Sequence, residues 1–292
     1  MTNRRSLIVR NLILAIIGSL AIPAVPAQAS DHSGQMTEEF HQTYPLSADG
    51  RIDLDNINGA VRITGWDRNE VKVDAIKYAN SKEKLDDAQI KVDAGSSYVS
   101  IRTEYREHDL TFNHFGRNNP ATVEYTLMVP KNARLDEIKL VNGSLEIMGV
   151  RGDVDASSIN GGVTARGLEG RTELSTVNSR VEVEYARVPG SSVELSSVNG
   201  SVEVTLPSDA KADIEASTVS GHIENDFGIQ VNNHRWVGHD VRAELGGGGT
   251  RIKLSNVNGR IEIRHANDGK SLSPAKSLNH DDRDDDDDDD SI

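Results

Sequence analysis

The sequence predicts an all-β protein, specifically a right-handed parallel β-helix (solenoid) with an N-terminal β cap. Three observations predict it. The first is a twelve-position frame, clearest in VELSSVNGSVEV at 193–204, which recurs at 52–63, 136–147, 154–165, 172–183, 214–225 and 252–263. The second is spacing: Asn142 to Asn160 and Asn160 to Asn178 are 18 residues each, while Asn178 to Asn199 and Asn199 to Ser220 are 21, so the expected coil is about 18–21 residues. The third is a repeated corner dipeptide, at Asn142-Gly143, Asn160-Gly161, Asn199-Gly200 and Asn258-Gly259. Stacked coils bring such corners together as structural turns and line their side chains into a hydrogen-bonded Asn ladder.

Each copy has too little to bury by itself. Ordering a backbone costs roughly 1–2 kcal/mol per residue, so two half-apolar strands of four or five residues must stack on their neighbours, at about 4.8 Å per coil. Within 193–204 the reading puts Val193, Leu195, Val198, Val202 and Val204 inside and Glu194, Ser201 and Glu203 outside. Asn-Gly is also a hairpin signal, and a meander of antiparallel hairpins is the competing fold. Hairpins, however, need neither constant spacing nor one residue type at one corner of every copy. Parallel crossovers set the expected hand to the right. Gly149 with Gly152, Gly167 with Gly170, and Pro189-Gly190 supply a second corner.

In chain order, residues 1–29 read as an export signal: Arg4, Arg5 and Arg10 form a basic head, 12–22 an apolar run, and Ala27-Gln28-Ala29 a cleavage site. The apolar run is too short to span a bilayer, which takes about 20 residues, and no other stretch could do so. Residues 30–38 are a polar linker, and 39–134 form the N-terminal cap and first solenoid strands. There Val71, Val73 and Ala75, then Ile90 and Val92, then Val99, Ile101 and Thr103, then Val123, Tyr125, Leu127 and Val129 alternate as strands. Ser81 caps a short helical turn. Phe112 and Phe115 lie in a polar loop that packs back on the cap or displays them. Regular coils fill 135–266, with a degenerate coil holding Phe227, Trp236 and the glycines 246–249, which read as a tight corner. Residues 267–292 are read as a disordered tail, nearly pure aspartate over 281–290.

The run VRAELGGGGTRIKLSNVNGRIEIRHA (241–266), the phrase LMVPKNARLDEIKLVNGSLEIMGVRGDV (127–154) and the recurring NG turns resemble the bacterial adhesin-like domains, a family of exported β-solenoids. The resemblance covers about 40–266. It implies an exported, adhesin-like binding module and brings no catalytic residues with it.

Nothing in the residues points to catalysis. There is no cysteine, hence no disulfide, thiol nucleophile or lipidated cysteine. No hydrolase elbow, His-Glu-x-x-His or EF-hand loop occurs, and His108 with His114 and His234 with His239 are the only histidine pairs of note. The net charge of −14 becomes −17 once Arg4, Arg5 and Arg10 leave with the signal, which disfavours nucleic acid and anionic lipid as partners. The frame does set carboxylates in register. Glu173, Glu194 and Glu215 make one outward column and Glu182, Glu203 and Glu224 another, where weak divalent-cation binding is conceivable. The expectation is therefore an exported, non-catalytic surface or periplasmic interaction module without a cofactor. Its partner would be an envelope or surface protein, a glycan or a cationic peptide. An envelope-stress scaffold that binds cationic peptides and a β-helix carbohydrate-active enzyme are the alternatives.

Overall fold

The computed structural model describes residues 34–106, 120–233 and 238–278. The export signal expected over 1–29, His108, His114, Phe112, Phe115, His234, Trp236 and the aspartate run lie outside the described residues. Within them the chain forms β1 (Met36–Pro45), β2 (Arg51–Asn58), β3 (Val61–Trp66), β4 (Glu70–Ala79), α1 (Lys82–Asp87), β5 (Ala88–Ala94), β6 (Tyr98–Tyr105), β7 (Thr122–Pro130), β8 (Arg134–Asn142) and β9 (Leu145–Met148). There follow β10 (Val154–Ser158), β11 (Val163–Arg166), β12 (Thr172–Thr176), β13 (Val181–Glu184), β14 (Val193–Leu206), β15 (Ala212–Asn225), β16 (Asn232–Asn233), β17 (His239–Leu245), β18 (Thr250–His265) and β19 (Ala275–Ser277). Ser81 caps α1 as expected, its hydroxyl accepting from the Lys84 amide at 3.4 Å, and Leu85 is the buried side of that turn.

Two rows of paired strands share one core. The first runs β5, β6, β2, β8, β10, β12, β14, β18, β15, β17, β19. The second runs β1, β4, β7, β3, β9, β11, β13, β14, β18, β15. The long strands β14, β18 and β15 pass through both rows and bend at the corner. Alternation supplies the core: Val193, Leu195, Val202 and Val204 are buried, and so are their counterparts Ile252, Leu254, Ile261 and Ile263 on β18. Each such side chain contributes about 1.5–3 kcal/mol of burial.

This architecture corrects the expected right-handed parallel β-helix. The strands form one 19-stranded sheet of mixed direction, with antiparallel pairs at both ends: β1 with β4, β4 with β7 and β5 with β6 at one, β15 with β17, β16 with β17 and β17 with β19 at the other. Nor do the coils stack in chain order. Strand β18 lies between β14 and β15, β2 between β6 and β8, and β3 between β7 and β9. A helical winding adds each coil beyond the last, so it cannot place a late strand between two earlier ones. The physical reason is that every copy of the frame presents the same two edges and the same inward side chains, so a distant copy fits a gap as well as a sequential one. The folded region also runs past Ala266, where the disordered tail was expected to begin: β19 pairs with β17 through Ala275, Lys276 and Ser277.

Candidate functional site

A second correction defines the most distinctive surface. Val198 was expected inside, yet the alternation that begins at Val193 runs on through Ser197, which is buried, and leaves Val198 outside before the pattern shifts at the corner and resumes at Val202. The same holds in the other copies, so Ile57, Ile159, Val177, Val198, Val257 and Val219 are 37–51 % exposed, and Val141 is half-buried between Ile57 and Ile159. Register sets these seven aliphatic side chains in one line along the corner between the rows.

Polar columns border the line, uncharged along Ile159, Val177, Val198, Val257 and Val219 and charged beside Val141 and Ile57, where Lys139 and Asp55 continue the serine column. On one side Ser157, Ser175, Ser196, Ser255 and Ser217 are paired in register. On the other runs the Asn ladder: Asn142 donates to Asn58 at 2.9 Å, Asn160 to Asn142 at 2.8 Å, Asn178 to Asn160 at 2.8 Å, Asn199 to Asn178 at 3.1 Å and Asn258 to Asn199 at 2.9 Å. The expected turn residues Asn142, Asn160, Asn199 and Asn258 are thus brought together. Their glycines are needed for closeness more than for unusual φ: a Cβ on Gly143, Gly161 or Gly200 would collide with the carbonyl of Gly59, Gly143 or Ser179 respectively, whereas Gly259 alone of the four predicted turn glycines has a positive φ, 142°.

Beneath the corner an inward polar column closes the backbone. Ser158 donates to the Gly143 carbonyl at 3.2 Å, Thr176 to Gly161 at 2.9 Å, Ser197 to Ser179 at 3.0 Å and Asn256 to Gly200 at 2.9 Å. Carbonyls that a corner leaves unpaired are satisfied this way. At the cap the same position is Asn56, which donates to Gly59 and Val123 and accepts from Thr103. Sequence reading missed both the ridge and this column. The available signal was the small polar residue two before every corner Asn except at Leu140.

Strand β18 enters both carboxylate columns, breaking one with Lys253 and extending the other with Glu262. Lys253 lies between Glu194 and Glu215 and pairs with Glu194 at 2.7 Å, while Arg251 holds Glu215 at 2.8 Å. Glu173 is next to Glu194 and is paired with Arg171 at 3.3 Å. In the other column Glu262 lies between Glu203 and Glu224; Arg264 bridges Glu203 at 3.0 Å and Glu262, and Arg166 meets Glu182 at 3.2 Å. The hydrogen bond that Lys253 donates to the Glu194 carboxylate holds the lysine above its ordinary pKa. Further along, burial and then the neighbouring Glu173 raise the Asp155 carboxyl. Among the described residues, no group of three or more His, Asp or Glu side chains is placed to hold a metal ion, and no helix is long and apolar enough to cross a membrane. The glycines 246–249 form a tight corner, and the Asp213 carboxylate accepts from the Gly249 amide at 3.4 Å, occupying the amide that an anion would need.

Among solved structures, a candidate cell adhesion protein from Clostridium sporogenes is similar at 14 % identity and a TM-score of 0.45, over 79 % of this chain and 99 % of that one. A candidate adhesin from Bacteroides fragilis is similar at 12 % identity and 0.29, over 78 % and 97 %. A candidate lipid-binding protein from Parabacteroides distasonis is similar at 10 % identity and 0.29, over 80 % and 95 %. No family model and no curated protein matches the chain.

Proposed function

We propose that this chain is an exported, non-catalytic, adhesin-like binding protein that meets an uncharged partner, an envelope protein or a neutral glycan, along the corner ridge. The observation that carries the reading is the ridge itself: seven aliphatic side chains in line, five of them bordered by serine and asparagine columns, in a chain whose net charge is −14. An apolar line of that length is the usual mark of a contact site, and the uncharged borders of its serine-flanked part favour a partner without charge there. The reading as a trap for cationic peptides is weakened, since Lys253, Arg251 and Arg264 already occupy the carboxylates. The resemblance of the sequence to exported adhesin-like domains agrees with the ridge. The test is binding of labelled protein to cell-envelope fragments and to uncharged wall polysaccharide, with a Val177→Asp, Val198→Asp double variant as control. Binding that survives high salt and is lost in the double variant at an unchanged melting temperature supports the reading. Equal binding by the two proteins, or binding that collapses with salt, overturns it.

A further inference from the structure

Asparagine followed by glycine is chemically labile, because no glycine side chain shields the backbone nitrogen that attacks the asparagine Cγ. A bond forms from that nitrogen to Cγ, the bond from Cγ to the amide nitrogen breaks, ammonia leaves, and water opens the cyclic imide to aspartate or isoaspartate. Five corners carry the sequence, at Asn58, Asn142, Asn160, Asn199 and Asn258. The attack requires the side chain to swing until Cγ lies over the next nitrogen, and the ladder opposes that swing. Asn142, Asn160 and Asn199 are pinned at both ends of the amide, each donating to the preceding rung and accepting from the following one. A donor on the carbonyl polarises it, but a side chain tied at both ends cannot turn. At the cap end the Asn58 carbonyl is held by Asn142, and its side chain meets the Tyr105 hydroxyl.

Asn258 differs. Its amide nitrogen is held by Asn199 at 2.9 Å, but the residue opposite it on β15 is Ser220, which brings no amide to its carbonyl. We propose that Asn258 is the site of spontaneous deamidation in the folded chain, and that the ladder shields the other four. Asn199 is the matched comparison, since both asparagines sit within long strands at the same corner and are paired with each other. A carboxylate at 258 could no longer donate to Asn199. Isoaspartate would also add a main-chain methylene against the register with Gly200 and Gly221. The inference is independent of what the ridge binds. It is tested by incubating folded protein at mildly alkaline pH and mapping peptides by mass for conversion of amide to acid. Asn258 should convert several-fold faster than Asn199 in the folded protein and at the same rate in urea, and Ser220→Asn, which adds a rung, should slow Asn258 to the rate of Asn199. Equal folded-state rates at the two positions, no conversion at Asn258, or no slowing in a Ser220→Asn protein of unchanged melting temperature would overturn it.

Discussion

Val198 and Val202 are both valines in the most regular copy of the frame, four residues apart, and they live in different environments. Val202 is wholly buried and Val198 is 40 % exposed. Replacing Val202 with Asp places a carboxylate in a dry core without a partner and is expected to cost on the order of 3–5 kcal/mol. Val198→Asp keeps its charge in water and should stay within about 0.5 kcal/mol of the parent. Denaturant melts of the two variants check this, and equal losses would mean that the corner turns inward after all. Most of the inward set was legible in the residues, because alternation is a local property of a strand. Val198 was misread by giving weight to its hydrophobicity over its parity, an error that Ser197, one step earlier, could have exposed.

Strand β18 joins β14 to β15. It pairs with β14 from Val193 to Leu206 on one side and with β15 from Ala212 to Asn225 on the other, although it follows both in the chain. Neither partner is complete until it arrives, so these pairings close long loops and should form late. Pulse-labelled hydrogen exchange during refolding is the measurement. Amides of 199–206 and 220–225 should gain protection together with those of 250–265, after those of β10 to β13. Protection of β15 before β18 would show that the inserted strand is not what completes the row.

At the scale of the whole molecule the stacking order sets which charges meet in the carboxylate columns. Had the coils followed chain order, Glu203 and Glu224 would be neighbours, and so would Glu194 and Glu215, with like charges about 4.8 Å apart. The inserted β18 places Lys253 between Glu194 and Glu215, whereas it adds Glu262 between Glu203 and Glu224, where Arg264 bridges Glu203 and Glu262. Arg264→Gln should therefore lower the melting temperature at low ionic strength, and the loss should shrink in high salt, where repulsion between Glu203 and Glu262 is screened. A melting temperature insensitive to this change at low salt would mean that the column needs no bridging cation.

The sequence by itself determined the repeated frame, the strands, the Asn-Gly corners, the cap on α1 and most of the core, because each depends on residues near one another in the chain. Corner asparagines at a common frame position predicted the ladder in the same way. Only the tertiary structure decided which copy lies beside which, that antiparallel strands close both ends, and that the chain folds on to Ser277. Seven copies with the same inward side chains and the same open edges make nearly equivalent neighbours, so local preference cannot choose among stacking orders. That choice falls to contacts distant in sequence, and with it which charges meet along the flanks of the ridge.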